Sequence, residues 1–249
     1  MTAPRGTTPQ GTATEEQAAR YVRGMFGQVA GKYDLLNHLL SFQVDRYWRS
    51  TTVRRVEHIL RRPGMRVMDL CCGTGDLLLA LEERATKETL VLGSDFCHPM
   101  LVGAAAKAHQ RRAITPLFEG DALQLPLADK SLDLVTVAFG FRNFANYRKG
   151  LKELRRVLKP GGMLAILEFS TPPNALIRGV YGLYSRRILP TIGGLVSGSK
   201  EAYTYLPESV RKFPGAESLA AEMEGAGYTR VKFERMTFGV VALHTGLSG

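Results

Sequence analysis

The spacing of hydrophobic positions in this chain changes near residue 65. Before that point, apolar residues recur every three or four positions, which predicts helices over 14–29 and 51–62. After it, short apolar runs predict strands at 66–71, 89–94, 115–119, 132–138 and 163–169. The segments between the runs predict helices at 76–85, 99–110 and 146–158. This alternation is typical of an α/β domain with parallel strands joined by crossover helices.

The C-terminal third departs from this alternation. Residues 172–214 mix apolar, aromatic and basic side chains, which predicts a helical cap inserted over the site. A helix over 215–226 and two β-rich runs, 229–235 and 238–244, follow it. Because the two runs have hairpin-like spacing, we expect an antiparallel last strand in a mostly parallel, seven-stranded sheet.

One domain is expected over 15–249, with N-terminal helices over 15–62 and the cap insertion over 172–214. Residues 1–14 are polar and predict a disordered lead-in. The chain has no uninterrupted apolar run of about eighteen residues, so we expect no membrane-spanning helix.

The segment 67–78 joins the first predicted strand to a helix through the turn Gly73-Thr74-Gly75. Glycine lets the backbone approach a ligand closely and adopt positive φ. A dinucleotide fingerprint needs a small residue where Leu78 stands, so a pyrophosphate site is disfavoured. Asp69 and Asp76 flank the turn, and their charge favours an ammonium or sulfonium ligand over a phosphate.

Acids also follow the next two strands. Asp95 ends the second strand at the distance from the turn where an acid binds a ribose diol, and Asp121-Ala122 follows the third. Each acid taken alone is also explained as a helix cap. Together they resemble the Rossmann-like fold of class I S-adenosylmethionine (SAM) methyltransferases. The resemblance implies SAM as cofactor, held by Asp69, Gly73, Thr74, Gly75, Asp95, Asp121 and Ala122.

The net charge of +10 admits nucleic acid or an anionic membrane surface as partner and does not choose between them. The basic, apolar segment 176–196 suits a membrane surface, and simple packing of the cap on the core is the alternative. Three cysteines give no disulfide framework, so we expect a cytoplasmic protein. No zinc-ligand spacing is present, and no metal is expected.

Residues 32–49 place polar groups of different chemistry between apolar ones, and they include the only tryptophan, Trp48. The polar members are Asp34, Asn37, His38, Asp45 and Arg46. This mixture predicts the wall of a pocket rather than a core helix.

Four blocks now resemble the ubiquinone/menaquinone C-methyltransferase family, and the resemblance covers about residues 26–246. They are Tyr33 to Asn37 with Arg46 to Trp48, Asp69 to Asp76, Phe139 to Asn143, and Tyr203 to Ser209 with Gly239 to His244. The resemblance implies C-methylation of a prenylated quinol, either demethylmenaquinol or the benzoquinol of the ubiquinone pathway. It also implies substrate contacts from Tyr33, Asn37, Arg46, Asn143, Tyr203 and Tyr205.

Three positions depart from the family pattern. His38 stands where the family usually has an acid, and Asp45 stands where it usually has a histidine, so an acid and a histidine have changed places. If the two side chains meet, the exchange preserves an acid–histidine couple; otherwise both lie on a wet helix face. Ala138 replaces a serine that often lies beside the cofactor, which removes that contact.

A quinol carbon becomes nucleophilic when its neighbouring hydroxyl, with a pKa of about 10, loses a proton, so a base or cation must assist. Arg142 directly follows the fourth predicted strand and is the first candidate to stabilise a developing phenolate. A structural ion pair is the alternative for Arg142. Asp34, His38 and Asp45 remain equivalent candidates for the base.

Two other classes of function compete with quinol methylation. The positive charge favours an RNA methyltransferase, but residues 138–143 contain neither a Pro-Pro-aromatic motif nor a cysteine nucleophile, and no RNA-binding module is appended. A scaffold with a methyltransferase fold would need none of the acids. The residues alone distinguish neither naphthoquinol from benzoquinol, nor the tail length, nor the oligomeric state.

Overall fold

A computed structural model describes residues 6–188 and 200–249, apart from the side chains of residues 36, 186, 188 and 200–204. The N-terminal helices are α1 (Glu15–Val29), α2 (Tyr33–Leu40) and α3 (Val44–Leu60). The alternating part contains β1 (Arg66–Leu70), α4 (Asp76–Glu82), β2 (Leu90–Asp95), α5 (His98–Arg111), β3 (Leu117–Glu119), β4 (Leu132–Ala138), α6 (Tyr147–Val157) and β5 (Leu158–Phe169). The C-terminal part contains α7 (Ala175–Leu183), α8 (Lys200–Lys212), α9 (Ala216–Gly225), β6 (Tyr228–Met236) and β7 (Val241–Ser248).

The strands form one seven-stranded sheet in the order β3-β2-β1-β4-β5-β7-β6. Strands β1 to β5 pair in parallel, whereas β7 is antiparallel to both of its neighbours, β5 and β6. This arrangement confirms the predicted sheet and its antiparallel last strand. Because parallel strands end at the same edge, the loops after β1, β2, β3 and β4 meet there.

Helices cover both faces of the sheet and divide the core into two large clusters. On one face, α3 and α4 bury residues such as Val56 and Leu78 against the strands. On the other, α6 buries Leu151 and Leu154, together with residues of α9. Each fully buried side chain of this size contributes about 1.5–3 kcal/mol.

Helix α3 begins at Val44, seven residues before the start of the helix predicted over 51–62. Gln43 holds a left-handed backbone with φ of 65°, which ends the preceding turn and starts α3 at Val44. Asp45 lies in the first turn of α3, where a negative charge interacts favourably with the helix dipole. The polar mixture over 32–49 therefore belongs to two helices and the turn between them.

Residues 6–14 contact the folded domain, in contrast to the expectation of a disordered lead-in. The amide of Thr7 donates to the carbonyl of Phe144 at 2.8 Å, and the Thr7 hydroxyl lies 2.8 Å from the Tyr205 hydroxyl. A Cβ on Gly6 would lie 1.9 Å from the Ala145 carbonyl oxygen, so this close approach needs glycine. Residues 1–5 lie outside the described part.

The cap packs on the N-terminal helices. Tyr205 of α8 joins Val22 and Met25 of α1 in a third, smaller core cluster. Residues 189–199 of the predicted cap lie outside the described residues. Within the described part, no helix has both the length and the apolar character to cross a bilayer.

Candidate functional site

A cavity of about 1190 Å³ lies at the carboxyl edge of the sheet, beneath the N-terminal half of α1. Four of the predicted cofactor residues line it: Gly73, Asp95, Asp121 and Ala122. Apolar and aromatic side chains, including those of Phe96, Met100 and Phe139, supply other parts of the wall. This combination of a few polar groups in an apolar cleft is typical of a small-molecule site.

The glycine turn after β1 has the backbone conformation that its sequence predicts. Gly73 and Gly75 have φ of 55° and 89°, a left-handed region that side chains other than glycine rarely adopt. A Cβ on Gly75 would lie 3.3 Å from the Cβ of Ala104, so α4 and α5 approach closely here. The turn thus presents the backbone of Gly73 to the cavity.

Asp95 fixes this turn against the next strand. Its carboxylate accepts one hydrogen bond from the Gly73 amide and one from the Cys97 amide, each at 2.9 Å. Burial raises the pKa of Asp95, while the Cys97 and Gly73 amides oppose that shift. A carboxylate has about four acceptor positions, so Asp95 retains acceptor capacity for a ligand in the cavity.

The remaining predicted cofactor residues lie behind the cavity wall. Asp69 is buried and accepts a hydrogen bond from the Thr136 hydroxyl at 2.7 Å, and burial raises its pKa to about 7. The Thr74 hydroxyl donates to Asp34, and Gly75 contacts α5. Thr74 and Gly75 therefore shape the turn, Asp69 joins β1 to β4, and none of the three lines the cavity.

The three candidates for the base lie in one network of charged side chains on the other side of the glycine turn. His38 Nδ1 lies 2.8 Å from Asp45 Oδ2, so the exchanged acid and histidine meet in the folded chain. Asp45 also pairs with Arg49 and accepts a hydrogen bond from the Ser41 hydroxyl. Burial raises the pKa of Asp45, but the hydrogen bond from Ser41 and the charges of Arg49 and His38 outweigh it, so this pKa is lowered.

The network continues from α2 to α5. Lys107 Nζ lies 2.8 Å from Asp34 and 2.6 Å from Asp76, and His38 Nε2 lies 3.8 Å from Asp76. The ligand-type atoms of His38, Asp45 and Asp76 lie within 4.8 Å of one another, but Arg49 and Lys107 already neutralise these carboxylates. None of the three base candidates lines the cavity. The network instead ties α2 to the glycine turn.

Arg142 is buried in an ion pair with Glu168 of β5, at 3.0 Å. It also donates to the carbonyl of Phe139 and lies over the ring of Phe169, while its Nε has no hydrogen-bond partner. Burial is the largest single effect and lowers the pKa of Arg142, but the charge and hydrogen bond of Glu168 together with Tyr33 and Tyr205 outweigh it and raise this pKa overall. The structure therefore contains the structural ion pair that was the alternative for Arg142. An arginine in such a pair still carries the positive charge that a phenolate needs, so the pair does not conflict with the catalytic role.

The predicted substrate residues separate into two groups. Tyr33 and Asn143 line the cavity, Asn37 bonds the Tyr33 hydroxyl, and Tyr205 donates to Asn143 at 2.9 Å. Arg46, in contrast, is exposed on α3 and does not line the cavity. The side chain of Tyr203 lies outside the described part. The aromatic group of Tyr33 packs on the glycine turn, because a Cβ on Gly73 would lie 3.8 Å from its ring.

Several residues at this site escaped sequence reasoning. Glu168 lies at the end of a long apolar strand, and Arg49 and Lys107 resemble ordinary surface charges of helices. Arg20 and Arg23 of α1 line the cavity, although α1 precedes the sheet by many residues. Of these residues, only Glu168 could have been noticed in the sequence, because a charged residue in an apolar strand is costly to bury unless it is paired.

The cavity fits SAM on three grounds. The glycine turn lines the cavity with the backbone of Gly73, which carries no side chain. Asp95 and Asp121 provide acceptors for hydroxyl and ammonium groups, and Phe96 and Met100 provide apolar walls for a planar base. This donor and acceptor set suits a cationic nucleoside better than a nucleotide phosphate.

Comparison with known proteins agrees with this fit. The sequence profile described as "ubiE/COQ5 methyltransferase family" matches residues 12–248. The chain is 51% identical to the demethylmenaquinone methyltransferase of Thermus thermophilus, over 89% of this chain and 99% of that protein. It is 39% identical to the ubiquinone/menaquinone biosynthesis C-methyltransferase UbiE of Shewanella frigidimarina, over 94% of this chain and 93% of that protein.

A solved structure shares the fold. The crystal structure of a SAM-dependent methyltransferase from Aquifex aeolicus superposes with a TM-score of 0.59. The match covers 80% of this chain and 89% of that chain at 20% sequence identity. At this identity the likeness concerns the fold alone, and it confirms the sheet described above.

Proposed function

Because this chain belongs to the ubiE/COQ5 methyltransferase family, we propose that it transfers a methyl group from SAM to a ring carbon of a prenylated quinol. It is a SAM-dependent methyltransferase. The substrate we propose is demethylmenaquinol, the substrate class named for relatives up to 51% identical, with the ubiquinone-pathway benzoquinol as a second acceptor. The names of these relatives favour a quinol over the alternative of an RNA substrate.

One observation carries this proposal: a cavity lined by Gly73, Asp95 and Asp121 adjoins a wall formed by Tyr33 and Asn143. When bound, the cofactor supplies an electrophilic methyl group on a positively charged sulfur. Asp95 then holds hydroxyl groups of the cofactor, and the Gly73 turn fixes its position. Tyr33 and Asn143 lie on the adjoining side, where the acceptor ring must lie to face the methyl group.

Charged residues of the chain assist the reaction by favouring loss of the proton from the quinol hydroxyl. Arg142 lies behind this wall, and its charge lowers the pKa of Tyr33 against the larger effect of burial, which raises it. A positive charge at this depth stabilises negative charge that develops on a nearby phenolate oxygen. The His38–Asp45 contact joins α2 to α3, and neither residue lines the cavity, so we assign to this couple the removal of the proton through a water.

The proposal includes peripheral contact with an anionic membrane surface, since a prenylated acceptor resides in the bilayer. The net charge of +10 and the cap support this part. Of the segment 176–196 that the sequence singled out, residues 189–196 and the side chain of Arg186 lie outside the described part.

The reaction is tested with the purified chain, SAM and short-tailed demethylmenaquinol or the corresponding benzoquinol. We expect a product heavier by one methyl group, with the label on a ring carbon, when the two acceptors are analysed by mass spectrometry. Quinones extracted from a deletion strain with and without this gene give the same comparison in the cell. If neither quinol is methylated while a labelled RNA is, the proposed function is wrong.

Asp95→Ala should weaken SAM binding by roughly ten- to a hundred-fold. The substitution removes charge-assisted hydrogen bonds, a loss of about 1.5–3 kcal/mol in total, and it releases the amide of Gly73. Calorimetric titration with SAM measures the effect. Glu119→Ala is the matched control, because Glu119 ends β3 as an exposed acid that does not line the cavity. Unchanged SAM affinity in a folded Asp95→Ala protein would remove Asp95 from the site.

A further inference from the structure

Exposed apolar side chains form a stripe on α2 and the turn that follows it. Leu35, Leu39 and Phe42 are all exposed, and Phe42 reaches 74%. The spacing of four residues places Leu35 and Leu39 on one side of α2, and Phe42 follows in the turn. A surface helix normally buries such a stripe, whereas the described residues leave this one largely exposed.

Helix α7 carries a second stripe with the same spacing. Leu176, Val180 and Leu183 are exposed, and Leu176 reaches 76%. The two stripes adjoin, because the ring of Phe42 lies 5.9 Å from that of Tyr184, directly after α7. The Tyr184 hydroxyl also donates to the carbonyl of Leu40 at 2.6 Å.

Phe238 extends the exposed surface beside the start of α7. It is 76% exposed in the turn between β6 and β7. A Cβ on the neighbouring Gly239 would lie 2.7 Å from Cδ of Pro173, so this turn packs against the loop before α7. We call the seven residues together the apolar face: Leu35, Leu39, Phe42, Leu176, Val180, Leu183 and Phe238.

The two phenylalanines of the apolar face have unusual backbone conformations. Phe42 and Phe238 have φ of 51° and 56°, in the left-handed region that bulky residues rarely adopt. Both side chains are mostly exposed, and apart from the contact of Phe42 with Tyr184, packing among the described residues does not explain a large aromatic residue at a strained turn. A partner outside the chain would make use of them.

The charges around the apolar face are positive. Residues 171–188 contain no acid, and Arg178 and Arg187 are exposed there. Between Leu35 and Thr52 the only acid is Asp45, which is 3% exposed and paired with Arg49, whereas Arg46 is exposed. Apolar side chains with a cationic margin complement the surface of an anionic bilayer.

We propose that the apolar face is a docking surface for an anionic lipid bilayer. The purpose of docking rests on the proposed function, because a prenylated quinol resides in the membrane. Helix α2 carries Leu35 and Leu39 on the apolar face and Tyr33 against the glycine turn, so docking places the cavity wall close to the lipid. Positive charge attracts the chain to the surface, and the apolar side chains hold it there.

Vesicle binding of the purified full chain tests this surface. The variant Phe42→Asp/Phe238→Asp removes two apolar groups and adds negative charge, and aspartate tolerates the left-handed backbone at both positions. The variant Leu176→Asp/Val180→Asp tests α7 in the same way. Each should bind phosphatidylglycerol vesicles at least about tenfold more weakly in sedimentation. Ile114→Asp, at a 90% exposed apolar residue outside the face, should bind like the wild type.

The outcomes separate the docking surface from the reaction itself. Both double variants should methylate a water-soluble, short-tailed quinol as the wild type does, which also shows that they fold. Wild-type binding to phosphatidylglycerol should fall with salt and exceed binding to phosphatidylcholine. If both variants bind vesicles normally, or if they only dissociate a dimer in sedimentation velocity without lipid, the proposal is wrong. Loss of vesicle binding in both variants supports it even if the wild type methylates no quinol.

Discussion

Glu168→Ala should lower the free energy of unfolding by about 3–5 kcal/mol, because it leaves the Arg142 guanidinium buried without its counter-charge. Both side chains are almost fully enclosed, and Glu168 also accepts the backbone amides of Arg142 and Phe169. Urea denaturation measures the change. Glu234→Ala, which breaks an exposed pair with Arg55, should change stability little.

The double variant Arg142→Met/Glu168→Leu separates structure from catalysis. Replacing both charges by apolar groups of similar size should restore part of the stability, since no unpaired charge remains, although the amides of residues 142 and 169 lose their acceptor. If Arg142 stabilises the phenolate, this folded variant should still lose about a hundred-fold in kcat, equal to about 2.7 kcal/mol in the transition state. A stable double variant with normal kcat would assign Arg142 to the ion pair alone.

His38→Ala and Asp45→Ala should each lower kcat by about a hundred-fold or more, and the double variant should be little worse than either. The contact of 2.8 Å between them places both side chains in one unit, and the effects of residues that act as a unit are not additive. Turnover of a short-tailed quinol at saturating SAM measures kcat for the three variants.

His58→Ala is the matched control for this cycle, since His58 is an exposed histidine of the same helix that carries Asp45. The pH profile of kcat distinguishes a proton-transfer role from simple anchoring of α2. A couple that removes the proton should give a profile whose alkaline plateau disappears in His38→Ala. Additive losses in the double variant would mean that no such couple exists.

The cofactor side of the site was largely predictable, because its determinants are local in sequence. A strand, a glycine turn and a helix follow one another within 67–78, and the acids after β2 and β3 reach the same edge through the parallel order of the strands. Gly73, Asp95, Asp121 and Ala122 line the cavity, and their binding of the cofactor stays a prediction. Asp69 belonged to the same pattern, but its position one residue before the end of β1 turns it into the core, onto Thr136.

The acceptor side was less predictable, because it depends on contacts between distant segments. The exchange of His38 and Asp45 suggested a couple, but the seven-residue separation gives a contact only because the chain turns at Phe42 and Gln43. Lys107 and Asp34 meet although they are far apart in sequence. No local pattern encodes such pairs, since helix packing sets them.

The sequence by itself determined the order of strands and helices, the glycine turn and the family. These depend on the period of apolar residues and on the backbone freedom of glycine, which act over a few residues. Only the tertiary structure decided which acids face the cavity, that Arg142 pairs with Glu168, and that residues 6–14 contact the domain. It also decided that two apolar stripes, from helices far apart in sequence, adjoin on one surface. Burial and charge pairing are properties of the packed chain, because each depends on which distant segments exclude water from one another.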